Sequence, residues 1–279
     1  NNTIENIIKL INQSISSGNA ICILLVGGIG DQLEAASLIL AHSNMRKNGR
    51  DPDIRMKANG QKNSIVEEHL KKSRAAHLVA SNSENFALEI SMPMYLCWHE
   101  AVGKIDTAYE PLFDKKPQQF KNDKSILICW RCKKDPNNGL SSFGRSIPFR
   151  KIIETLMRWK QHIKSTGYNI LDISEYSEKE KEMLQRRVPE IKLLRQSITK
   201  IEDTMELINK CEHIISVDTS LAHIAATSNN PVHTLHPLYF DERWNGLMKY
   251  SGAYKNNIIS YRQKRFNDWK HPLELIERT

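Results

Sequence analysis

The sequence predicts an α/β chain of two halves, each a parallel sheet covered by helices. Three observations carry that prediction. Residues 20–26 and 213–217 are largely apolar runs of strand length, as central parallel strands buried on both faces are. Each runs into turn chemistry and then a helical pattern: Gly27-Gly28-Ile29-Gly30-Asp31 after the first, Asp218-Thr219-Ser220 after the second. Between the halves, residues 114–124 are charged and broken by Pro117, the composition of a domain boundary.

The elements follow in order. Residues 3–16 carry Ile4, Ile7, Ile8 and Ile11 at helical spacing. After the first strand and the glycine turn, Leu33, Ala36, Leu40 and Ala41 mark a second helix. The turn is not the dinucleotide fingerprint, whose third glycine is missing. Residues 46–63 read as loop with a short strand at 53–56, 65–74 as helix and 77–80 as a short strand. Ser91-Met92-Pro93-Met94 and Gly103-Lys104-Ile105-Asp106-Thr107 read as turns. The second half opens with a strand at 125–130 and a long polar loop at 131–145. A helix at 149–164 has Ile152, Ile153, Leu156 and Trp159 on one face. Strands at 168–173 and 191–194, a solvated helix face at Lys179–Lys181 and Arg186-Arg187, and a helix at 202–211 lead to the 213–217 strand. A helix at 221–227, a strand at 231–235 and a terminal helix at 267–278 complete the pattern. The expected boundaries are 1–118, 119–265 and a C-terminal helix, 266–279, that packs back near the N-terminal domain. Two such domains facing across a cleft bring the two turns together.

The 279 residues are 40% hydrophobic, enough for two domains, and no apolar stretch reaches the roughly 20 residues of a membrane span. Residues 1–9, polar and mixed in charge, do not read as a secretory leader. A net charge of +8 favours anionic partners, either phosphorylated small molecules or an anionic membrane face. The basic residues are scattered and no nucleic-acid motif is present, so nucleic acid is not an expected partner. Cys129-Trp130-Arg131-Cys132 has redox-pair spacing. However, Cys129 ends a strand and a polar loop follows Cys132, where a redox pair has its first cysteine at a helix N-terminus. Reduced thiols in a cytoplasmic protein are the expectation.

The chemistry concentrates at 216–223. A strand, a tight turn and a helix start leave unpaired N–H groups with a partial positive charge, a setting that suits phosphate. Asp218 leaves a strand at its carboxyl end, where ligands sit in open α/β sheets. An ordinary, well-capped strand-to-helix connection has the same signature.

Ser216-Val217-Asp218-Thr219-Ser220-Leu221-Ala222-His223 resembles the Asp-Thr-Ser/Ala-x-x-His signature of heptosyltransferase-like (family 9) glycosyltransferases, close to the bacterial branch often fused to tetratricopeptide repeats. Other blocks fit in order: Gly28-Ile29-Gly30-Asp31-Gln32, then Ser91-Met92-Pro93 with Gly103-Lys104-Ile105-Asp106-Thr107, then Trp130-Arg131 with Arg145-Ser146-Ile147-Pro148, then Arg243-Trp244 and Asp268-Trp269. The resemblance implies a GT-B-like fold of two Rossmann-like domains with parallel sheets facing across a cleft. It implies sugar transfer from a nucleotide-diphosphate sugar to a bacterial surface glycan or lipid-linked saccharide. It implies no cofactor and no metal, the donor on the C-terminal domain and the acceptor on the N-terminal one.

That reaction needs a stabilised leaving diphosphate and a base for the acceptor hydroxyl. The first role points to Thr219, Ser220 and Leu221 at the helix start, with charge from Arg131, Lys133 (or Lys134) and Arg145. Asp218 is placed to bond sugar hydroxyls or orient the turn, His223 to touch phosphate or sugar or to pack, and His236 to line the donor pocket at a strand end. Gly27, Gly28 and Gly30 shape the first turn, where Asp31 is either the general base or an N-cap. Trp244 and Tyr239 either stack on the ligand or pack in the interior. Trp98-His99-Glu100 is a poor metal set, since three adjacent residues cannot all face one ion. Two other readings stay open: a non-catalytic sugar- or nucleotide-binding protein on the same scaffold, and a sugar-nucleotide epimerase. The first is motivated by Cys132-Lys133 standing where the family has Gly-Asn.

Overall fold

The computed structural model describes residues 2–45, 53–59, 63–81, 83–95, 111–113, 124–132, 144–228, 230–239, 244 and 258–277. They fall into two compact α/β units, one within 1–114 and one within 115–245 and 256–279. The boundary segment 114–123 and the 103–107 turn lie outside the described residues, as do Trp98-His99-Glu100, Lys133, Lys134 and Arg243.

The first unit contains α1 (Asn2–Ser16), β1 (Ile21–Leu25), α2 (Ile29–Met45), β2 (Ile54–Ala58), α3 (Asn63–Leu70) and β3 (Leu88–Ser91). The three strands are parallel in the order β2-β1-β3. Central β1 is buried through Ile21, Cys22, Ile23 and Leu25, as its unbroken apolar run requires. Residues 77–80 are the clearest departure from expectation. Ala76–Leu78 form a 3₁₀ turn stacked on a Ser73 turn, and the segment joins the sheet only through a Met56–Val79 bridge. β3 was masked in the sequence by its following Met-Pro. Only Ile90 of its four residues is buried, so no apolar run announces it.

The second unit contains β4 (Ser125–Cys129), α4 (Phe149–Thr166), β5 (Asn169–Asp172), α5 (Glu178–Arg187), β6 (Ile191–Leu193), α6 (Ile201–Lys210), β7 (His213–Val217), α7 (Ser220–Thr227), β8 (Val232–His236), β9 (Ile258–Arg262) and α8 (Lys270–Ile276). All pairings are parallel, in the order β6-β5-β4-β7-β8-β9. Counted within the unit this is 3-2-1-4-5-6, the doubly wound order of nucleotide-binding sheets. Local signals set the helix ends. Ser177 and Glu180 form a reciprocal cap on α5, and Gly167 closes α4 in the left-handed conformation at φ 74°, its N–H donating to the Ile163 carbonyl. β9, unread in the sequence, is an edge strand that buries only Tyr261 and leaves Ile259 exposed. The terminal helix is shorter than its pattern. Its Leu273 and Ile276, with Trp269 just before it, join Trp130, Leu156 and Leu235 in the core of this second unit.

The glycine turn of the first unit yields a stability test. Gly27 sits at φ 97°, and a Cβ there would lie 2.8 Å from the Asp31 side chain, whereas one on Gly28 would meet nothing nearer than 3.4 Å. Gly27→Ala is therefore expected to cost more than about 1 kcal/mol and Gly28→Ala clearly less, by denaturant titration. Equal losses would show that the backbone at Gly27 is not constrained as described.

Candidate functional site

The strand order reverses between β4 and β7, so the crevice outside their carboxyl ends is the switch point where such sheets bind ligands. Residues 130–132 leave β4 there and 218–219 leave β7. The loop after β4 is pinned at both ends: Ile147 N donates to the Trp130 carbonyl at 3.0 Å, and Cys132 N to Ser146 Oγ at 3.0 Å. These bonds deliver Arg145 to β7's end, where Arg145 Nη1 donates to Asp218 Oδ2 at 3.4 Å. Cys132 Sγ reaches the Asp218 carbonyl at 3.3 Å, tying the two strand ends together.

Asp218 is largely buried, with His223 Nε2 3.7 Å from its other oxygen. Burial alone would raise its pKa. The His223 hydrogen bond and charge outweigh that, helped by Arg145, and hold the carboxyl well below the usual range, so it stays ionised. His223 packs against Trp244 with ring centroids 4.7 Å apart, and Trp244 against His236 at 5.5 Å. Trp244 is thus an interior wedge between two histidines, while Tyr239 is exposed. His236 is fully buried and bonded to Thr234 Oγ1 at 2.8 Å, so it backs the site rather than lining an open surface. Burial pushes its pKa down to about 4, against a pull upward from Asp218.

The start of α7 departs from simple capping. Thr219 holds the N-cap backbone position but makes no side-chain cap. Its hydroxyl is 2.8 Å from Ser216 Oγ instead. The first described bonds onto the cap carbonyl come from Ala222 N and His223 N, and Ser220 is exposed beside them. The N–H groups at Ser220 and Leu221 therefore face the end of the helix without a side-chain cap, the arrangement that receives an anion. Arg145 Nε is buried and has no acceptor among the described residues, a second donor at the same turn.

The structure thus brings together Asp218, Thr219, Ser220, Leu221, His223, Arg145 and His236. It does not add Arg131, which is spent on Glu180 at 2.9 Å with its guanidinium 5.7 Å from the Tyr176 ring centre. Asp31 lies in the other unit, at the start of α2, where its Oδ2 accepts from Gly28 N at 2.8 Å. Gln32 fastens that turn, donating to the Gly27 and Asn59 carbonyls. Ser146 and Ser216 were missed in the sequence. The one available signal was a serine inside the buried strand His213–Val217. Cys129 and Cys132 are free thiols with pKa values pushed up to about 12 and about 11, burial first in each case, which suits hydrogen-bond donors rather than a redox pair.

Doubly wound parallel topology in the second unit and a parallel sheet in the first are those of a GT-B-like α/β fold. Residues 158–268, which include the Asp218 turn, match glycosyltransferase family 9 (heptosyltransferase). The fold is similar to that of the Escherichia coli heptosyltransferase WaaC solved with ADP-2-deoxy-2-fluoro heptose, with a TM-score of 0.54, 11% identity and coverage of 93% of this chain and 98% of that one. E. coli ADP-heptose lps heptosyltransferase II gives 0.54, 14%, 93% and 98%, and a family 9 glycosyl transferase from Veillonella parvula DSM 2008 gives 0.50, 13%, 93% and 95%. No curated protein sequence matches the chain significantly.

The buried histidine makes the site sensitive to acid. Unfolded His236 titrates near pH 6.5. Folded, it does so near 4. Between those values only the unfolded chain gains the proton, so stability falls as pH drops, by up to about 3 kcal/mol. Asp172, raised to about 6 mainly by burial, acts with the opposite sign, so the difference between proteins is the readout. His236→Asn should flatten the stability profile between pH 6.5 and 4 relative to wild type. Parallel profiles would contradict a neutral, buried His236.

Proposed function

We propose that the chain transfers a sugar from a nucleotide-diphosphate sugar to a bacterial surface glycan or lipid-linked saccharide, without a metal. The observation that supports this most is the uncapped start of α7 beside Arg145 at the switch point. The N–H groups of Ser220 and Leu221 and the Arg145 guanidinium take up the charge that develops on the leaving diphosphate. Asp218, kept ionised, orients Arg145 and His223 and accepts from sugar hydroxyls. The solved relatives contain ADP and an ADP-heptose analogue, which makes an ADP-sugar the first donor to test. Asp31 is assigned as the base for the acceptor hydroxyl, with Gly28 N–H fixing the carboxylate's direction. The net charge of +8 favours work at an anionic membrane face in the cytoplasm. No helix among the described residues is long and apolar enough to cross a membrane.

A thermal-shift panel of nucleoside diphosphates and nucleotide sugars tests the donor. A ligand at 100 times its Kd should add about 2.7 kcal/mol, with one base preferred. No shift with any member, in folded protein, would sink the transferase reading in favour of a binding scaffold for other ligands. Turnover of a donor with no acceptor present would point to an epimerase.

Asp31→Asn separates base from cap. As the base, Asp31 is expected to account for at least about 100-fold in turnover, with donor affinity unchanged. Undiminished turnover would reduce Asp31 to a helix cap.

A further inference from the structure

The segments that leave β8 and β9 meet at the carboxyl end of the second unit's sheet. Leu235 pairs with Val217 on one side and with Tyr261 on the other, so the segment after β9 starts about 10 Å from the Asp218 turn, two strand spacings away. Buried Gln263 joins the two segments. Its N–H donates to the His236 carbonyl at 3.1 Å, and its Oε1 accepts from Leu238 N at 3.3 Å and from Asn267 N at 3.0 Å. Two backbone N–H groups on one oxygen hold residues 238 and 267 side by side. Arg262 adds a clamp, its Nε and Nη2 donating to the Leu238 carbonyl at 3.1 and 2.9 Å. Asn267, at φ 63°, then turns the chain, and buried Trp269 anchors its far end.

The pinned segments display two rings among cations. Tyr239 is 78% and Phe266 56% exposed, the two most exposed large hydrophobic side chains among the described residues. Lys264 and Arg265 are exposed between the anchors and have no acidic partner among the described residues. Arg262 is exposed beside them. The next acid along the chain, Asp268, has its Oδ1 accepting from Lys270 N at 3.2 Å. Cations call for an anionic partner, and exposed rings call for an apolar one. A bilayer interface supplies both at once: rings sit at the headgroup boundary and cations stay with the lipid phosphates. Single-stranded nucleic acid instead needs cations and rings repeated along a groove. One compact cluster of both fits a lipid surface, and its pinned backbone loses little freedom on docking.

We propose that this patch docks on an anionic membrane surface, with Phe266 and Tyr239 entering the interface and Arg262, Lys264 and Arg265 meeting headgroup phosphates. The proposal rests on the reading that the chain works at a membrane face, and it gives that work a location. Docking there brings the sheet end that carries the Asp218 turn toward the lipid, where a lipid-linked acceptor lies.

Co-sedimentation of the full chain with vesicles, in the absence of nucleotide, tests it. Phosphatidylcholine vesicles with about a quarter phosphatidylglycerol should bind the chain, less so as salt rises, and pure phosphatidylcholine should bind at least about tenfold more weakly. Lys264→Gln with Arg265→Gln should weaken binding to the anionic vesicles about 30-fold. Arg186→Gln with Arg187→Gln removes the same charge from the end of α5 and should leave binding within about threefold. Phe266→Ser, folded by circular dichroism, should bind about tenfold more weakly. If that variant misfolds, Phe266→Trp serves: its added emission should shift to the blue on anionic vesicles only. Equal binding to both vesicles, equal losses in the two charge pairs, full binding by Phe266→Ser, no blue shift, or binding of single-stranded DNA in place of vesicles would overturn the proposal. A failed thermal-shift panel with vesicle binding intact would count against the donor reading alone, because no nucleotide enters this test.

Discussion

Everything at the candidate site depends on β4 and β7 lying side by side with the crossovers leaving them in opposite directions. The chain after β4 goes toward β5 and β6 on one side, and the chain after β7 toward β8 and β9 on the other. Among the described residues, the two strand ends therefore open a crevice that no helix fills. Into it the fold places the β4 loop end, pinned by the Trp130–Ile147 and Cys132–Ser146 bonds, and the β7 turn. The Arg145–Asp218 contact is the result of that convergence. The ion pair is partly buried, so its value lies in aiming the guanidinium at the turn rather than in net stability.

The two turns that look alike in sequence do different work. Each follows a buried parallel strand and carries an acid near a helix start. In the first unit the acid folds back locally: Asp31 accepts from Gly28 N, three residues before it, and the glycine at positive φ makes room for that carboxylate. In the second the acid reaches a side chain of its own helix, His223, and Arg145 from the β4 loop, and Thr219 turns its hydroxyl to Ser216. The helix end nearest Asp218 is thus left without a side-chain cap from Thr219. A capped helix start and an uncapped one differ here by where two short side chains point.

That difference marks what the sequence makes legible. The buried runs at β1 and β7, the helix spacing of α4 and the polar turn after Val217 are local patterns, so the α/β class and the position of the turn can be read directly. Arg145 is readable as a basic residue near the site, but its partner is 73 positions away and is supplied by topology. Arg131 shows the converse: it looks equally suited to phosphate, yet Glu180, 49 positions on, takes it. Thr219 invites a capping assignment because threonine caps helices, and only the fold reveals the competing hydroxyl of Ser216. β3 and β9 escape because each buries a single large side chain, too little for an apolar pattern. Asp218-Thr219-Ser220 with His223 resembles the family 9 signature, and the match over residues 158–268 covers the same turn.

The central claim is that a nucleoside diphosphate docks on the start of α7. Amide chemical-shift mapping during an ADP titration tests it directly. The account predicts that the largest backbone movements fall on Ser220 and Leu221, with Arg145 Nε following the same saturation curve. Movements concentrated at Gly27–Asp31 instead, with Ser220 and Leu221 unchanged at saturation, would contradict it.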